Sequence, residues 1–175
     1  MDFIRVNKHI TISEITLKDV AAFVEYLNDK DIYINTLNIP HPYTKEDGER
    51  FVNIVAERKK ENGKTTNWAI RNKNEKLIGG IGFHNVIDGH KAQIGYWLAK
   101  PYWEEGIMSE IVKKVSEIGF SKFKLRRITA HIFEYNRASS RVLEKNNFAL
   151  EVSCAKNYYK KDGKIFNGKL YAKTN

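Results

Sequence analysis

A strand is predicted to run into a helix through the stretch Ile94-Gly95-Tyr96-Trp97-Leu98-Ala99-Lys100-Pro101-Tyr102-Trp103-Glu104-Glu105-Gly106-Ile107-Met108. The first N–H groups of a helix have no partner within it, and the helix dipole leaves partial positive charge on them. Gly106 would let an anion approach this backbone, because glycine has no Cβ. The stretch therefore predicts an anion site at the start of a helix, although a glycine at such a turn often has only a structural role.

A second polar segment follows about 30 residues later and reads Asn136-Arg137-Ala138-Ser139-Ser140-Arg141-Val142-Leu143-Glu144-Lys145-Asn146-Asn147-Phe148. Asn136 ends a predicted strand and is suited to cap the next helix, because its side chain can accept a hydrogen bond from a free backbone N–H group. The Asn136 amide and the Ser139 hydroxyl could also reach a ligand between two strands.

The apolar periodicity outside these segments alternates between the spacing of strands and that of helices, which indicates a mixed α/β fold. We expect one domain over residues 1–175, with the element order β-α-α-β-β-β-α-β-α-β-β and a mostly antiparallel sheet. Turns at Asp88-Gly89 and Asp162-Gly163 predict hairpins. The predicted elements are a strand at 9–13, a helix capped at Thr16, a helix from Thr44 to Asn62, strands at 68–70, 77–86 and 92–98, a helix at 106–122, a strand at 127–133, a helix at 137–146 and strands at 148–160 and 165–173.

The composition is that of a folded cytoplasmic protein. The 175 residues (20.3 kDa) are 42% hydrophobic and 29% charged, which excludes disordered and collagen-like classes. A single cysteine, Cys154, excludes an internal disulfide and a cysteine-based metal site, and we expect no metal. The N-terminus lacks the pattern of a secretory signal, and no apolar run reaches the length of a membrane span. The net charge of +9 favours an anionic partner without identifying it.

The two quoted segments together resemble the GNAT (GCN5-related N-acetyltransferase) superfamily, and within it the RimJ/RimL-like ribosomal-protein N-acetyltransferases. The matching motifs are Ile-Gly-Tyr-Trp-Leu, Pro-Tyr-Trp-x-x-Gly-Ile and Asn-x-x-Ser-x-Arg-Val-Leu-Glu-Lys-x-x-Phe. The order of elements agrees over nearly the whole chain. This resemblance implies a GNAT-like α/β fold and an acyltransferase that moves an acetyl group from acetyl-CoA to a primary amine.

The resemblance also implies which residues bind acetyl-CoA. Backbone groups of Trp97, Leu98 and Ala99 would contact the pantetheine arm, and Asn136 and Ser139 would lie near the thiol or the arm. The diphosphate would be held by the loop and helix start, namely Trp103, Glu105, Gly106, Ile107 and Met108. The larger Met108 departs from the superfamily pattern and would have to point away from the diphosphate. Asn147 replaces a glycine before Phe148, and asparagine tolerates the left-handed conformation that this turn needs.

The catalytic residues are less clearly indicated. Many superfamily members carry a tyrosine as general acid where this chain has Leu143, and a glutamate as general base where it has Gln93. The remaining candidate bases are Glu134 and His84. Ser139 or Ser140 could serve as the acid, or the thiolate could leave unaided, and each of these residues could instead be structural. Leu143 and Gln93 also leave open a fold that binds coenzyme A without catalysing transfer.

The acceptor is not defined by the sequence. By resemblance the loop from Ile34 to Tyr43 borders the acceptor site, which makes Tyr33 and His41 candidate substrate-binding residues. A protein N-terminal amine and a small-molecule amine (an antibiotic or a polyamine) both stay open, as does a homodimer. A basic nucleic-acid-binding module is the alternative from another class. We do not expect it, because no such motif is present and clusters such as 122–127 and 156–164 are mostly solvated faces.

Overall fold

The computed structural model describes residues 3–175, which contain eight strands and five α-helices. The strands are β1 (Ile4–Arg5), β2 (Thr11–Glu14), β3 (Asn67–Arg71), β4 (Leu77–Ile87), β5 (Lys91–Leu98), β6 (Arg127–Phe133), β7 (Ala149–Lys161) and β8 (Lys164–Thr174). The helices are α1 (Val20–Leu27), α2 (Lys30–Asn35), α3 (Lys45–Asn62), α4 (Ile107–Lys122) and α5 (Arg137–Lys145). Short 3₁₀ turns precede α1 and follow β5.

The strands form one mostly antiparallel sheet in the order β1-β2-β3-β4-β5-β6-β8-β7. The pair β5 and β6 is parallel, with Lys91 opposite Arg127 and Gln93 opposite Thr129, and α4 connects the two strands. By its contacts the chain divides into two compact units, residues 3–82 with 96–107 and residues 83–95 with 108–175. The strands β4 and β5 each pass from one unit to the other.

The first unit is built around the apolar faces of α1 and α3. Phe23 and Leu27 from α1 and Val52 and Val55 from α3 are buried together with Ala69 of β3. A capping box begins α3. The Thr44 hydroxyl accepts from the Asp47 N–H at 3.2 Å, and the Asp47 carboxylate accepts from the Thr44 N–H at 3.0 Å.

An ion pair between Arg71 and Asp19 is buried in this unit, and the two side chains are 7% and 4% exposed. The guanidinium donates to both carboxylate oxygens, at 2.7 and 3.0 Å, and its Nε donates to the Ser13 hydroxyl at 2.6 Å. Backbone carbonyls of Glu14 and Glu75 accept its remaining hydrogens at 3.1 and 3.3 Å. Because each partner is satisfied, the pair can stay charged in the interior.

The second unit packs α4 and α5 with β6, β8 and β7. The face of α4 that carries Ile111, Val112 and Val115 is fully buried. Gly119 lets this helix pack closely, because a Cβ there would lie 2.8 Å from Phe83 Cζ and 3.0 Å from Ile128 Cδ1. Tyr171 of β8 is buried and donates through its hydroxyl to Glu144 of α5 at 2.9 Å, which connects the helix to the sheet.

The edge strand β7 pairs with β8 through an irregular ladder. Its register shifts at three places, between Leu150 and Val152, between Val152 and Ala155, and between Ala155 and Tyr159. Most of its residues are exposed. The hairpin turn at Asp162 and Gly163 has φ values of +49° and +74°, as a type I′ turn requires.

The predicted mixed α/β class and mostly antiparallel sheet are confirmed, and most elements lie within two residues of their expected bounds. The short strand β1 and the one-and-a-half-turn helix α2 were not predicted. Asn147 has the expected left-handed conformation, with φ +60°. No helix among residues 3–175 combines the length and the apolar composition that crossing a bilayer requires.

Candidate active site

The loop from β5 to α4 is held in place by its own backbone and by one indole. The Ala99 N–H donates to the Ile78 carbonyl at 2.8 Å, and the N–H groups of Tyr102 and Trp103 close the short 3₁₀ turn that follows. The Trp103 indole Nε1 donates back to the Leu98 carbonyl at 2.7 Å. Trp103 therefore stabilises the loop, a role that the sequence motif alone did not indicate.

The end of this loop presents free backbone N–H groups. No hydrogen bond within residues 3–175 uses the N–H groups of Gly106, Ile107 or Met108, which lie at the start of α4. Gly106 has φ +77°, and an added Cβ would meet no atom within 4 Å. Glu104 has φ +66°, and Glu104 and Glu105 are exposed. Met108 is only 8% exposed, so its side chain lies in the interior rather than over the free N–H groups. The arrangement suits an anion of the size of a phosphate.

Trp97, Leu98 and Ala99 lie against the glycines of β4. A Cβ on Gly79 would lie 2.7 Å from the Trp97 carbonyl oxygen, and one on Gly80 would lie 2.7 Å from the Trp97 indole nitrogen. Leu98 and Ala99 are buried. The Ala99 N–H donates to Ile78 and its carbonyl accepts from the Tyr102 N–H at 3.0 Å, so both backbone groups of this predicted residue already have partners within the chain. The glycines at 79–82 thus serve strand packing and open no helix, so they form no dinucleotide loop.

Asn136 caps α5 and keeps one donor unused. Its Oδ1 accepts from the Ser139 N–H at 3.0 Å, and Asn136 as a whole is 8% exposed. No hydrogen bond within the described part of the chain uses its Nδ2. The structure therefore places Asn136 and Ser139 in one helix cap and leaves one amide donor of Asn136 available.

The far end of α5 is attached to the first turn of α4 by Asn146, the last residue of the helix predicted at 137–146. Asn146 Nδ2 donates to the Ser109 carbonyl at 3.0 Å and to the Val142 carbonyl at 2.9 Å. Asn146 is 6% exposed. Its position at the end of an amphipathic helix was visible in the sequence, but its partner 37 residues away was not.

The candidate base Glu134 lies in a hydrogen-bonded cluster with Asn167 and Cys154. Its carboxylate accepts from Asn167 Nδ2 at 3.0 Å, and its backbone N–H donates to the Asn167 carbonyl at 3.0 Å. Hydrogen bonds from Asn167 and from the Cys154 thiol hold the pKa of Glu134 below its usual 4.5. The pKa of the exposed Cys154 is raised, first by partial loss of hydration and then by Glu134. The thiol of Cys154 therefore contacts a candidate catalytic residue.

Two histidines lie on the strands β4 and β6. The His84 imidazole covers Gly95, where a Cβ would lie 3.1 Å from Nε2. His131 packs edge-on against Tyr158, with ring centroids 5.9 Å apart, and burial lowers its pKa. His131 is therefore neutral at physiological pH.

The candidate acceptor residues Tyr33 and His41 contact each other, with ring centroids 5.0 Å apart. Asn28 holds the loop that contains His41, because its side chain donates to the Tyr43 carbonyl and accepts from the Tyr43 N–H, each at 2.9 Å. Tyr33 is half-buried and His41 is exposed. The two predicted residues thus form one aromatic pair next to an anchored loop.

A separate open cavity of about 410 Å³ lies beside the Arg71–Asp19 pair in the first unit. Its wall includes Lys18, Glu25 and Lys76. The buried polar groups at this cavity are already bonded to each other, so it offers no free donor comparable to those at Gly106. Among residues 3–175, no three His, Cys, Asp or Glu side chains come together as metal ligands would.

Comparison with known proteins identifies the family. The family described as "Acetyltransferase (GNAT) domain" matches residues 9–149, most of the chain. The chain belongs to the GNAT acetyltransferases. The free N–H groups at Gly106 and the cap at Asn136 both lie within the matched range, and this match confirms the resemblance expected from the two sequence motifs.

Individual relatives of this GNAT acetyltransferase are similar in sequence or in fold. The uncharacterized N-acetyltransferase YoaA of Bacillus subtilis is 37% identical over 107 residues, which span 60% of each chain. A GNAT-family acetyltransferase structure from Bacillus anthracis is 26% identical and covers 99% of this chain and 98% of its own, with a TM-score of 0.82. RimL, a ribosomal L7/L12 α-N-protein acetyltransferase solved with coenzyme A, is 20% identical over 99% and 98% of the two chains and shares the fold, with a TM-score of 0.87.

Proposed function

We propose that this chain transfers the acetyl group of acetyl-CoA to a primary amine, with a protein N-terminal amine as the acceptor, in the cytoplasm. The observation that carries the proposal is the set of free N–H groups at Gly106, Ile107 and Met108, which open onto unfilled space at the start of a helix. Such groups bind a diphosphate without any cationic side chain. RimL is a neighbour by fold and was solved with coenzyme A, which supports the same donor here.

The other donor contacts follow from groups that the chain leaves available. Asn136 Nδ2 is an unused donor suited to an amide carbonyl of the pantetheine arm, and Ser139, whose N–H donates to Asn136 Oδ1, belongs to the same helix cap. Trp97 and Leu98 would contact the arm from the β5 side. Trp103 would act through the loop that it stabilises. Acetyl-CoA itself supplies an activated acyl group, a thioester whose sulfur is a good leaving group.

The chain's own titratable groups favour direct attack by the amine over an acyl-enzyme. The raised pKa of Cys154 keeps the thiol protonated at neutral pH, and the thiol form is a poor nucleophile. The amine would instead attack in a ternary complex, after losing its proton to Glu134 or His84 through water. The Ser139 hydroxyl is the candidate donor to the departing sulfur, since Leu143 cannot serve.

The lowered pKa of Glu134, which makes its carboxylate a weak base, supports an α-amine acceptor. A lysine side chain has a pKa near 10.4 and an α-amine one near 7.7–8.0, so deprotonating the α-amine at neutral pH requires ~3.5 kcal/mol less. A chain with Gln93 in place of a glutamate is suited to the easier acceptor. The acceptor named for RimL is also a protein α-amine, which points the same way. Tyr33 and His41 would contact the residues at the acceptor's N-terminus, and a homodimer is compatible with this arrangement.

Mass spectrometry of acetylated products tests the proposal. The enzyme with acetyl-CoA is offered three acceptors: a peptide with a free α-amine and no lysine, the same peptide with a blocked α-amine and one lysine, and a polyamine. We expect acetylation of the first alone or at least tenfold faster. Preferred acetylation of the polyamine would replace the protein acceptor by a small molecule. No binding of coenzyme A in calorimetry would refute the donor.

Two substitutions of Cys154 test direct transfer. Cys154→Ala removes the thiol and its hydrogen bond to Glu134, whereas Cys154→Ser removes the thiol but keeps a donor. We expect Cys154→Ser to retain wild-type turnover and Cys154→Ala to lose at most a few-fold. An inactive Cys154→Ser enzyme would show that acetyl transfer passes through the sulfur.

A further inference from the structure

Four exposed cations lie together at one end of the second unit, and we name them the end patch: Lys91, Lys122, Lys124 and Arg126. Lys91 begins β5, and the other three lie in the connection from α4 to β6. None of the four side chains makes an ion pair or hydrogen bond within the described residues. We propose that the end patch binds the phosphodiester backbone of a nucleic acid, a function beyond acetyl transfer that requires no step of it.

Backbone hydrogen bonds bring these separate segments together. The Gly89 N–H donates to the Phe123 carbonyl at 3.0 Å, and the Arg126 and Arg127 N–H groups donate to the His90 carbonyl at 2.7 and 3.1 Å. The parallel pairing of Lys91 with Arg127 fixes the first residue of each strand side by side. The patch spans 36 positions of the sequence, so the cluster at 122–127 taken alone predicts only a solvated face.

The cations at this end outnumber the carboxylates beside them. Glu151 is already paired with Arg127, Asp88 lies in the turn before Lys91, and the Asn175 N–H donates to the Arg126 carbonyl at 3.3 Å, which places Asn175 beside the patch. The apolar residues between the cations, Phe123 and Leu125, are 4% and 1% exposed and offer nothing to an apolar partner. A surface that presents charge alone fits a partner with a dense row of anions. The phosphate backbone is such a partner, because each cation that neutralises a phosphate releases condensed counterions.

Lys124 adds a second observation, because its backbone is left-handed, with φ +53°. This conformation is unfavourable for a residue with a Cβ and is usually taken by glycine or asparagine at the end of a helix. The chain carries a lysine there, although glycine would satisfy the turn with less strain. Because the lysine is kept at this exposed turn, its side chain is included in the test.

The end patch is separate from the proposed donor site within this unit. Arg127 opens β6 and Asn136 lies beyond its last residue, so the length of the strand alone puts ~20 Å between them. A nucleic acid on the patch would therefore leave Asn136 accessible, and loss of the patch should leave turnover with a short peptide unchanged.

Fluorescence anisotropy with a labelled single-stranded RNA, the matching DNA and anionic phospholipid vesicles tests the proposal between 50 and 200 mM salt. The test variant is Lys122→Gln/Lys124→Gly/Arg126→Gln. The matched control is Lys156→Gln/Lys160→Gln/Lys164→Gln, which removes the same charge from exposed positions on β7 and β8. Losing three phosphate contacts should lower the slope of log Kd against log salt by ~2 for single strands. The control should keep the wild-type slope.

Each outcome decides the question. Binding of RNA, DNA or both, with the slope lowered only in the test variant, supports the patch and shows which nucleic acid it prefers. Equal losses in both triple variants would mean that net charge alone attracts the ligand, which overturns the patch. Binding to vesicles but not to either nucleic acid would also overturn it, and this arm is included because Ile87 beside the patch is 50% exposed. Single Lys124→Gly should weaken binding without lowering Tm, and a lowered Tm would refute the argument from backbone strain.

Discussion

Replacing Gly106 by alanine separates the cost to the fold from the cost to cofactor binding. Gly106 has φ +77°, and its Cβ would meet no protein atom within 4 Å, so Gly106→Ala creates no clash within the chain. The left-handed backbone costs a residue with a Cβ ~1–2 kcal/mol. For a chain of this length we expect Tm to fall by about 2–8 °C.

The added methyl group should weaken acetyl-CoA binding by more than this strain. It would occupy open space beside the N–H group of Ile107, where we place the diphosphate. Displacing one charged oxygen from one N–H group costs ~1.5–3 kcal/mol. Since 1.4 kcal/mol is tenfold in Kd, the expected loss is roughly 10- to 100-fold in affinity for coenzyme A.

Gly163 supplies the matched control. It lies in the β7–β8 turn with φ +74°, and its Cβ would also meet nothing within 4 Å. Gly163→Ala should lose a similar amount of stability and keep wild-type affinity. Both variants are measured by thermal unfolding and by calorimetry with coenzyme A. If Gly106→Ala binds coenzyme A as tightly as Gly163→Ala does, the N–H groups at α4 do not hold the diphosphate.

Three further substitutions or measurements test other parts of the structure. Arg71→Met should lower the free energy of unfolding in urea by ~3–5 kcal/mol, because it leaves the buried Asp19 carboxylate unpaired. Arg127→Met, which breaks the more exposed pair with Glu151, should cost under ~1 kcal/mol. Similar losses in the two variants would contradict the role of the buried pair. If Glu134 is the base, its lowered pKa keeps its carboxylate deprotonated above pH ~5. The kcat/KM for an acceptor should then show no inflection caused by Glu134 above that pH. An inflection that disappears in His84→Gln would instead identify His84. Trp103→Phe should raise the Kd of coenzyme A several-fold with little change in Tm, since it removes the indole bond to the loop, and an unchanged Kd would contradict that role.

Elements with strong local signals were predictable from the sequence. Thr44 and Asp47 form the capping box at the start of α3, and Gly63 ends that helix with φ +64°. These signals are local, because each depends on residues within one helical turn. The short strand β1 and the helix α2 have too few residues for a periodic pattern, so their stability comes from neighbours that are distant in sequence.

The site was predictable in part for the same reason. The motif around Gly106 identified the free N–H groups, because a glycine before a helix is readable from the chain itself. The contacts between Cys154 and Glu134 and between Arg71 and Asp19 join residues 20 and 52 positions apart, and no spacing rule connects them. Long-range pairs of this kind are set by the register of the sheet, which a single sequence does not specify.

The uneven register of β7 has a consequence for how these molecules meet at high concentration. Outermost strands ordinarily expose a straight row of amide and carbonyl groups that invites another chain to add on. Three shifts in the ladder break that row, and the lysines at 156 and 160 place charge along it. Concentrated solutions should therefore resist the growth of fibres by addition of strands to β7.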